Sequence, residues 1–125
     1  MIIKTGYFAY IKKYKELGYT TISIARWIPK WYDGECYSEL APSNFLLSKY
    51  KNNLITEEDF KIEYIKGLNR NVVENFINSI SEKYDRVILL CYEKCGDFCH
   101  RHILADYIKQ EFNIDVEELV IKKEV

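Results

Sequence analysis

Residues 91–102 hold the densest group of reactive side chains in this chain: three of its four cysteines, both of its histidines and an arginine. Apolar residues recur at helical spacing after Cys99, His100 and Arg101, so we predict that these three open a helix. Free N–H groups at a helix N-terminus, with a guanidinium beside them, favour an anion and stabilise a thiolate. We therefore predict a catalytic site with Cys99 as nucleophile or redox thiol, His100 as its acid–base partner and Glu93 as the orienting carboxylate. The alternative is that Cys99 is a small buried hydrophobe.

The spacing from Cys95 to Arg101 also matches the Cys-x5-Arg rule by which phosphatases of the tyrosine type wrap a phosphate in backbone amides. Only Gly96 supplies a glycine in this loop. Cys95 stands three residues after Tyr92, where the strand is predicted to end, whereas the phosphatase cysteine follows its strand directly. The spacing alone therefore does not identify a phosphatase.

A metal site is a further interpretation, because three cysteines at intervals of four, with His100 adjacent, offer soft ligands for zinc or an iron cluster. The intervals match no standard zinc spacing, and the chain is too short for the barrel of radical enzymes. We predict no metal and no cofactor, and we retain a cysteine-ligated metal protein as an alternative.

Two patterns predict the sheet that must position these residues. Residues 86–92 contain a continuous apolar run, Val-Ile-Leu-Leu-Cys, which is typical of a central strand in a parallel sheet. Residues 2–7 and 19–26 are rich in β-branched and aromatic side chains, and residues 8–17 between them have helical spacing and end at Gly18. This order predicts a strand–helix–strand crossover with parallel neighbouring strands.

The remaining segments complete an α/β plan. Residues 27–42, punctuated by proline and glycine, are predicted to form a long ordered loop. We predict four further helices. The first spans 43–50, the second begins at a cap at Thr56, the third spans 72–84, and the fourth is capped by Asp97 and ends at residue 112. A last strand is predicted over 117–122. The expected fold is one three-layer α/β domain, residues 1–125, with a mostly parallel four-stranded sheet flanked by helices.

Ligands of parallel sheets bind outside the carboxyl ends of the strands. In the predicted sheet those ends present Thr5, Gly6, Arg26 and Cys91. Together with Arg101, they form the predicted ligand-binding set for a small anionic or nucleotide-like ligand.

Composition limits the partners and the location. Eighteen basic and nineteen acidic side chains give a formal charge of −1, so nucleic acid remains a conceivable partner that the net charge does not support. No apolar run approaches the roughly 20 residues that a membrane helix needs, so we expect no membrane partner. Cys91, Cys95 and Cys99 crowd together with Cys36 far away, which favours reduced thiols and a cytoplasmic location.

The motif around the cysteines resembles that of the domain of unknown function 488 family, in particular its small bacterial and phage members. The resemblance rests on Leu-Leu-Cys-Tyr-Glu at 89–93 and on Gly-Asp-Phe-Cys-His-Arg-His at 96–102, with further similarity at 22–26, 29–30 and 40–43. The resemblance implies an α/β sandwich. It also implies that the site consists of Arg26, Cys91, Glu93 and the Cys-His-Arg triplet at 99–101. Cys95 lies outside the family pattern, and the family has no established activity.

A rival function is a non-catalytic accessory module of phage or mobile-element type, which binds a protein or nucleic acid through residues 27–32. This loop interleaves Arg26 and Lys30 with Trp27, Trp31 and Tyr32, a combination that can stack a base and neutralise a phosphate. We favour the simpler interpretation, in which two tryptophans fold the loop over the core.

Overall fold

Five parallel strands form one sheet with β4 at its centre. The computed structural model describes residues 1–92 and 98–121. The strand order is β3-β2-β4-β1-β5, and every described pairing is parallel. The strands are β1 (Ile2–Tyr7), β2 (Thr20–Ser23), β3 (Glu35–Cys36), β4 (Arg86–Cys91) and β5 (Val116–Glu118).

Helices connect the strands, and local capping explains where several of them begin. Ser43 accepts a hydrogen bond from the Leu46 amide, and Thr56 and Asp59 form the predicted capping box. Asn69 caps the next helix through its side-chain oxygen. The helices are α1 (Ile11–Glu16), α2 (Asn44–Lys51), α3 (Glu57–Gly67), α4 (Arg70–Lys83) and α5 (His100–Phe112), with short 3₁₀ turns at Phe8–Tyr10 and Ser38–Leu40.

The sheet is covered on both faces, which makes the predicted three layers. Alternate residues of β4 enter two separate apolar cores, because successive side chains of a strand point to opposite faces. Val87 and Leu89 pack with helices α2 to α5, whereas Ile88 and Leu90 pack with Tyr14 of α1 and with the segment that follows β2. The apolar run in β4 is therefore explained by burial on both sides.

The sheet differs from the prediction in two respects. It has five strands rather than four, because residues 35 and 36 of the predicted loop pair with Ile22 and Ser23 of β2. In addition, β1 and β2 are not neighbours, because β4 lies between them and pairs with both. A two-residue strand carries no periodic signal, and strand order depends on long-range pairing, so neither feature follows from local pattern.

The loop after β2 also differs from the interpretation that we favoured. Trp27 and Trp31 are 64% and 59% exposed, and it is Tyr32 that is buried over the core. The Tyr32 hydroxyl donates to the carbonyl of Glu35 over 2.7 Å. The two tryptophans are therefore available on the surface. Within residues 1–92 and 98–121, no helix combines the length and the apolar content needed to cross a bilayer.

Candidate functional site

A cavity of about 330 Å³ lies where β2 and β4 end, the place where parallel sheets bind ligands. Its buried lining includes Cys91 and His100, and its exposed lining includes Trp27 and Tyr92. Its size falls in the range of small-molecule sites, roughly 300–1,000 Å³. The full lining is Ala25, Arg26, Trp27, Leu47, Lys51, Cys91, Tyr92 and His100.

The two buried cysteines of the site are joined to each other. Cys91 ends β4, Cys99 is the N-cap residue of α5, and the structure bonds their sulfur atoms as a disulfide. We expected reduced thiols. The end of the strand and the start of the helix bring the two sulfurs together over a Cα–Cα distance of 7.7 Å, beyond the roughly 4.4–6.8 Å usual for a disulfide, while Cys36 is free and exposed.

His100 is held in one orientation by the backbone. Its Nε2 lies 2.6 Å from the carbonyl oxygen of Ile24, so we assign the hydrogen to Nε2, because a carbonyl can only accept. Nδ1 is then an unprotonated acceptor, 3.8 Å from the Cys99 sulfur. Burial, helped by the positive charges of Arg101 and Arg26 and opposed by the bond to Ile24, lowers the pKa of His100 to about 4. His100 is therefore a neutral base at neutral pH.

Arg26 reaches the cavity from the segment after β2. Its Nε donates to the carbonyl of Pro42 over 3.1 Å and its Nη2 to the carbonyl of Ala41 over 3.3 Å. These bonds fix the guanidinium without neutralising it, because no described carboxylate forms an ion pair with it. Arg26 is thus an oriented cation at the cavity with no ion pair to a carboxylate among the described residues, although Glu39 and Glu63 line a neighbouring hollow that Arg26 also lines.

Arg101 lies elsewhere. It is fully buried and does not line the cavity. Its Nε and Nη2 donate to the two carboxylate oxygens of Glu118 over 3.0 and 2.8 Å, and its Nη1 donates to the Cys91 sulfur over 3.1 Å. The sequence predicted a cation facing the ligand, whereas the structure uses this one to tie α5 to β5 and to the end of β4.

Glu118 is the acidic partner that sequence inspection missed. Burial alone would raise its pKa, but hydrogen bonds from Arg101 and from the hydroxyl of Thr5, the latter over 2.6 Å, outweigh burial and lower the pKa. Glu118 is therefore the charged partner of Arg101. The two residues are 17 positions apart, and only the pairing of β5 with β1 brings them together.

Thr5 and Gly6 also lie away from the cavity. Thr5 is buried and donates to Glu118, on the side of β1 that faces α5. Gly6 is buried against Ile88 and Tyr14, where a Cβ atom would approach their side chains to 2.7 and 2.8 Å. The order of the strands explains both positions, because β4 separates β1 from β2.

Three predicted features fall on residues 93–97, outside the described residues: Glu93 as orienting carboxylate, Cys95, and Asp97 as helix cap. Cys99 occupies the N-cap position of α5, one residue before the first turn in which we had expected it, and its side chain makes no capping hydrogen bond. It is buried and does not itself line the cavity, where the cysteine of the described lining is Cys91 and the contact to Cys99 runs through His100.

Two cavity residues had no signal in the sequence. Lys51 is the last residue of α2, and Leu47 lies one turn before it on the same face. A lysine at a helix C-terminus is common for electrostatic reasons. Only the tertiary fold shows that Lys51 meets Trp27 and Arg26.

The cluster at the cavity could in principle hold a metal ion. One ligand atom each from Cys91, Cys99 and His100 lies within 4.8 Å of the other two. Two sulfurs and an imidazole suit a soft ion such as zinc, but only as thiolates. With the sulfurs bonded to each other, this requirement is not met, so a metal would first need the reduced pair.

Comparison with known proteins identifies the family. No curated protein and no solved structure matches the chain. A family model does match: DUF488-N3a, described as the active DUF488-N3 subclade, over residues 11–112. The match spans most of the chain and includes the cavity and both bonded cysteines. The protein therefore belongs to the domain of unknown function 488 family, as a member of its DUF488-N3a subclade.

Proposed function

We propose that this protein is an enzyme that binds a small anionic or nucleotide-like ligand in the cavity between β2, β4 and α2. One observation carries the proposal: the same cavity is lined by two cations, Arg26 and Lys51, and by a sulfur and an imidazole, Cys91 and His100. Cations bind an anion, and a thiol beside an imidazole is a pair that performs nucleophilic catalysis. The subclade description, "active", agrees with a catalytic role.

The electrostatics of the cavity favour an anion. Neither Arg26 nor Lys51 forms an ion pair with a carboxylate among residues 1–92 and 98–121, although Lys4, Arg70 and Lys109 do. The described lining contains no acidic residue at all. Among the described residues, an anion in the cavity would therefore meet two positive charges and no carboxylate.

The aromatic lining favours a planar group on the same ligand. Trp27 and Tyr92 are both about half exposed or more, and both line the cavity. Exposed aromatic faces stack nucleobases, and a neighbouring cation neutralises the phosphate. A nucleotide meets both requirements.

The chemistry needs the reduced cysteines. Two molecules of a thiol such as glutathione reduce the Cys91–Cys99 bond and leave as one disulfide, which gives two thiols in the protein. The unprotonated Nδ1 atom of His100 then takes the proton of the Cys99 thiol as the sulfur attacks the ligand. Because this step requires a reducing environment, a cytoplasmic location is part of the proposal.

The remaining predicted residues take supporting roles in this proposal. Arg101 stabilises the Cys91 sulfur through its hydrogen bond and is itself held by Glu118 and, through Glu118, by Thr5. Gly6 permits the close approach of β1 and α1. Glu93 keeps its proposed role as the orienting carboxylate.

Binding is tested by calorimetry on the reduced full-length protein with AMP, UMP and inorganic phosphate as probes. We expect Arg26→Gln and Lys51→Gln each to weaken nucleotide binding tenfold or more. Lys49→Gln is the matched control, because Lys49 is also on α2 but its ammonium lies 4.6 Å from the Phe45 ring, outside the cavity. Absence of binding to all three probes by the wild-type protein would refute the proposal.

The nucleophile is tested by alkylating the reduced protein with iodoacetamide at several pH values. Trypsin cleaves after Arg86, Lys94 and Arg101, so Cys91 and Cys99 fall on separate peptides, 87–94 and 95–101. In a Cys95→Ser background, the labelling of Cys99 should have a midpoint below the usual thiol value of about 8.5, and His100→Gln should slow the labelling because it removes the base. An ordinary midpoint that is indifferent to His100 would remove Cys99 from the mechanism.

The exposure of Trp31 favours a second candidate, the non-catalytic module. Trp31 is 59% exposed and lines a different hollow, with Phe8 and Lys12, away from the cysteines. If this surface binds single-stranded nucleic acid, Trp31→Ala abolishes binding of a fluorescent oligonucleotide and Cys99→Ser leaves it intact. The reverse result supports the enzyme.

A further inference from the structure

The cavity continues beyond Lys51 along the outside of α2. A second hollow of about 390 Å³ adjoins the first and shares Trp27, Leu47 and Lys51 with it. Beyond these shared residues it is lined by Asn44, Ser48 and Asn52. The two hollows border on the same three side chains, and we refer to the first cavity as the inner half and to the second hollow as the outer half of one groove.

One face of α2 forms a wall of this groove. Asn44, Leu47, Ser48 and Lys51 are separated by steps of three and one residues, so they lie on the same side of the helix, and Asn52 follows at its C-cap. The Nδ2 atom of Asn52 donates to the hydroxyl of Ser48 over 3.3 Å. The outer half of the groove is thus built from neutral hydrogen-bonding groups on a rigid element.

The two halves differ in chemistry. The inner half is lined by His100, Cys91 and Arg26, whereas the described outer half adds two asparagines and a serine and no further charged residue. Neither described lining contains a carboxylate. A ligand that fits both halves has its negative charge near Lys51 and an uncharged polar group beyond it.

We infer that the ligand is a dinucleotide, that is, two nucleosides joined through phosphate. The phosphate lies between Arg26 and Lys51, one nucleoside faces His100, and the other lies along Asn44, Ser48 and Asn52, with Trp27 stacking a base. This inference rests on the proposed nucleotide binding and extends it. A long polyanion fits less well, because the described lining of the groove contains two cations and the chain carries a formal charge of −1.

The test compares ligands that fill one half or both halves. Calorimetry on the reduced full-length protein uses AMP, the phosphodiester ApA, the pyrophosphate-linked diadenosine diphosphate and a ten-residue deoxyadenylate, with a matching uridine series. We expect at least one dinucleotide to bind tenfold or more tightly than its mononucleotide. The dinucleotide that binds more tightly then shows whether the phosphate group belongs to a phosphodiester or to a pyrophosphate.

Variants assign the gain to the outer half. The double variant Asn44→Ala, Asn52→Ala should abolish the advantage of the dinucleotide while mononucleotide binding stays unchanged, and Lys51→Gln should weaken both ligands. Asn71→Ala on α4 is the control, because Asn71 is an exposed helical asparagine outside the groove.

Three outcomes would overturn the inference. Equal affinity for mononucleotides and dinucleotides would show that the outer half does not contribute to binding. A double variant that binds dinucleotides as the wild type does would show the same. A deoxyadenylate that binds more tightly than every dinucleotide identifies a strand-binding groove instead. If neither mononucleotides nor dinucleotides bind, the proposed function is wrong as well. If mononucleotides bind and dinucleotides bind no better, only the inference is wrong, so the two failures are distinguishable.

Discussion

His100 is anchored to Ile24 by a hydrogen bond of 2.6 Å between its Nε2 and the carbonyl oxygen of Ile24. The bond ties the first residue of α5 to the segment that follows β2, 76 residues earlier in the chain. Because Nε2 must donate, Nδ1 is left as the acceptor beside Cys99. One backbone carbonyl therefore determines which nitrogen of the imidazole faces the sulfur.

The burial of His100 predicts a loss of stability in mild acid. Its pKa is lowered in the folded protein to about 4, so the unfolded chain binds a proton first as the pH falls below about 6.5. The free energy of unfolding should decrease as the pH falls from about 6.5 to about 4, by an amount on the order of 3 kcal/mol. Urea denaturation at several pH values measures this decrease.

The variant His100→Gln isolates this effect. A glutamine amide can still donate to the Ile24 carbonyl but does not titrate, so its stability should vary less between pH 6.5 and 4.5 than that of the wild type. Glu118 does not disturb this comparison. Its pKa is lowered in the folded protein, so the stability that it contributes is lost only when the pH falls below about 4.5, the ordinary pKa of a glutamate. An equal slope in both proteins would mean that His100 is not the titrating group.

Replacing Glu118 should destabilise the protein strongly. Glu118→Gln removes a charge that pairs with the fully buried Arg101, and breaking a buried pair from one side costs about 3–5 kcal/mol. Glu117→Gln is the matched control, because the neighbouring Glu117 pairs with Lys4 on the surface and is 75% exposed. It should cost less than about 1 kcal/mol. Similar denaturation midpoints for both variants would contradict the buried pair.

Gly6 should not tolerate a methyl group. A Cβ atom there would lie 2.7 Å from Ile88 and 2.8 Å from the Tyr14 ring, and overpacking of a core costs about 1–3 kcal/mol. Gly67→Ala, at the end of α3, is the control, because nothing lies within 4 Å of its Cβ position. Thermal melting of Gly6→Ala, Gly67→Ala and the wild type measures the difference. A Gly6→Ala protein as stable as Gly67→Ala would mean that β1 and α1 are not packed so closely.

Cys91 and Cys99 should become linked when the protein is equilibrated with oxidised glutathione. Because the structure joins their sulfurs, tryptic peptides 87–94 and 95–101 should be recovered as one disulfide-linked species, also in a Cys95→Ser background. Cys36, which is exposed and free, should instead be found alkylated or carrying glutathione. A predominant link from Cys91 to any other cysteine would contradict the pairing.

Much of the fold was predictable because its signals are local. The continuous apolar run identified β4 as the central strand, and Thr56 with Asp59 identified the start of α3. The start of α4 was predicted two residues late, because the cap at Asn69 precedes the apolar pattern. Local pattern locates elements well and their order poorly, as the position of β4 between β1 and β2 shows.

The candidate site was predictable only in part, because its parts meet through tertiary contacts. Arg26, Cys91 and His100 line one cavity as expected. Arg101 does not, because Glu118 on the last strand binds it, and no local pattern reveals that pairing. The positions of Lys51 and of the two tryptophans could not be predicted either, because they depend on how distant segments of the chain pack.

Glu118 belongs to β5, which is only three residues long and forms one edge of the sheet. The carboxylate of Glu118 holds the Arg101 guanidinium, and Nη1 of the same guanidinium contacts the Cys91 sulfur. A three-residue strand at the edge of the sheet therefore helps to position the cation beside a sulfur of the cavity.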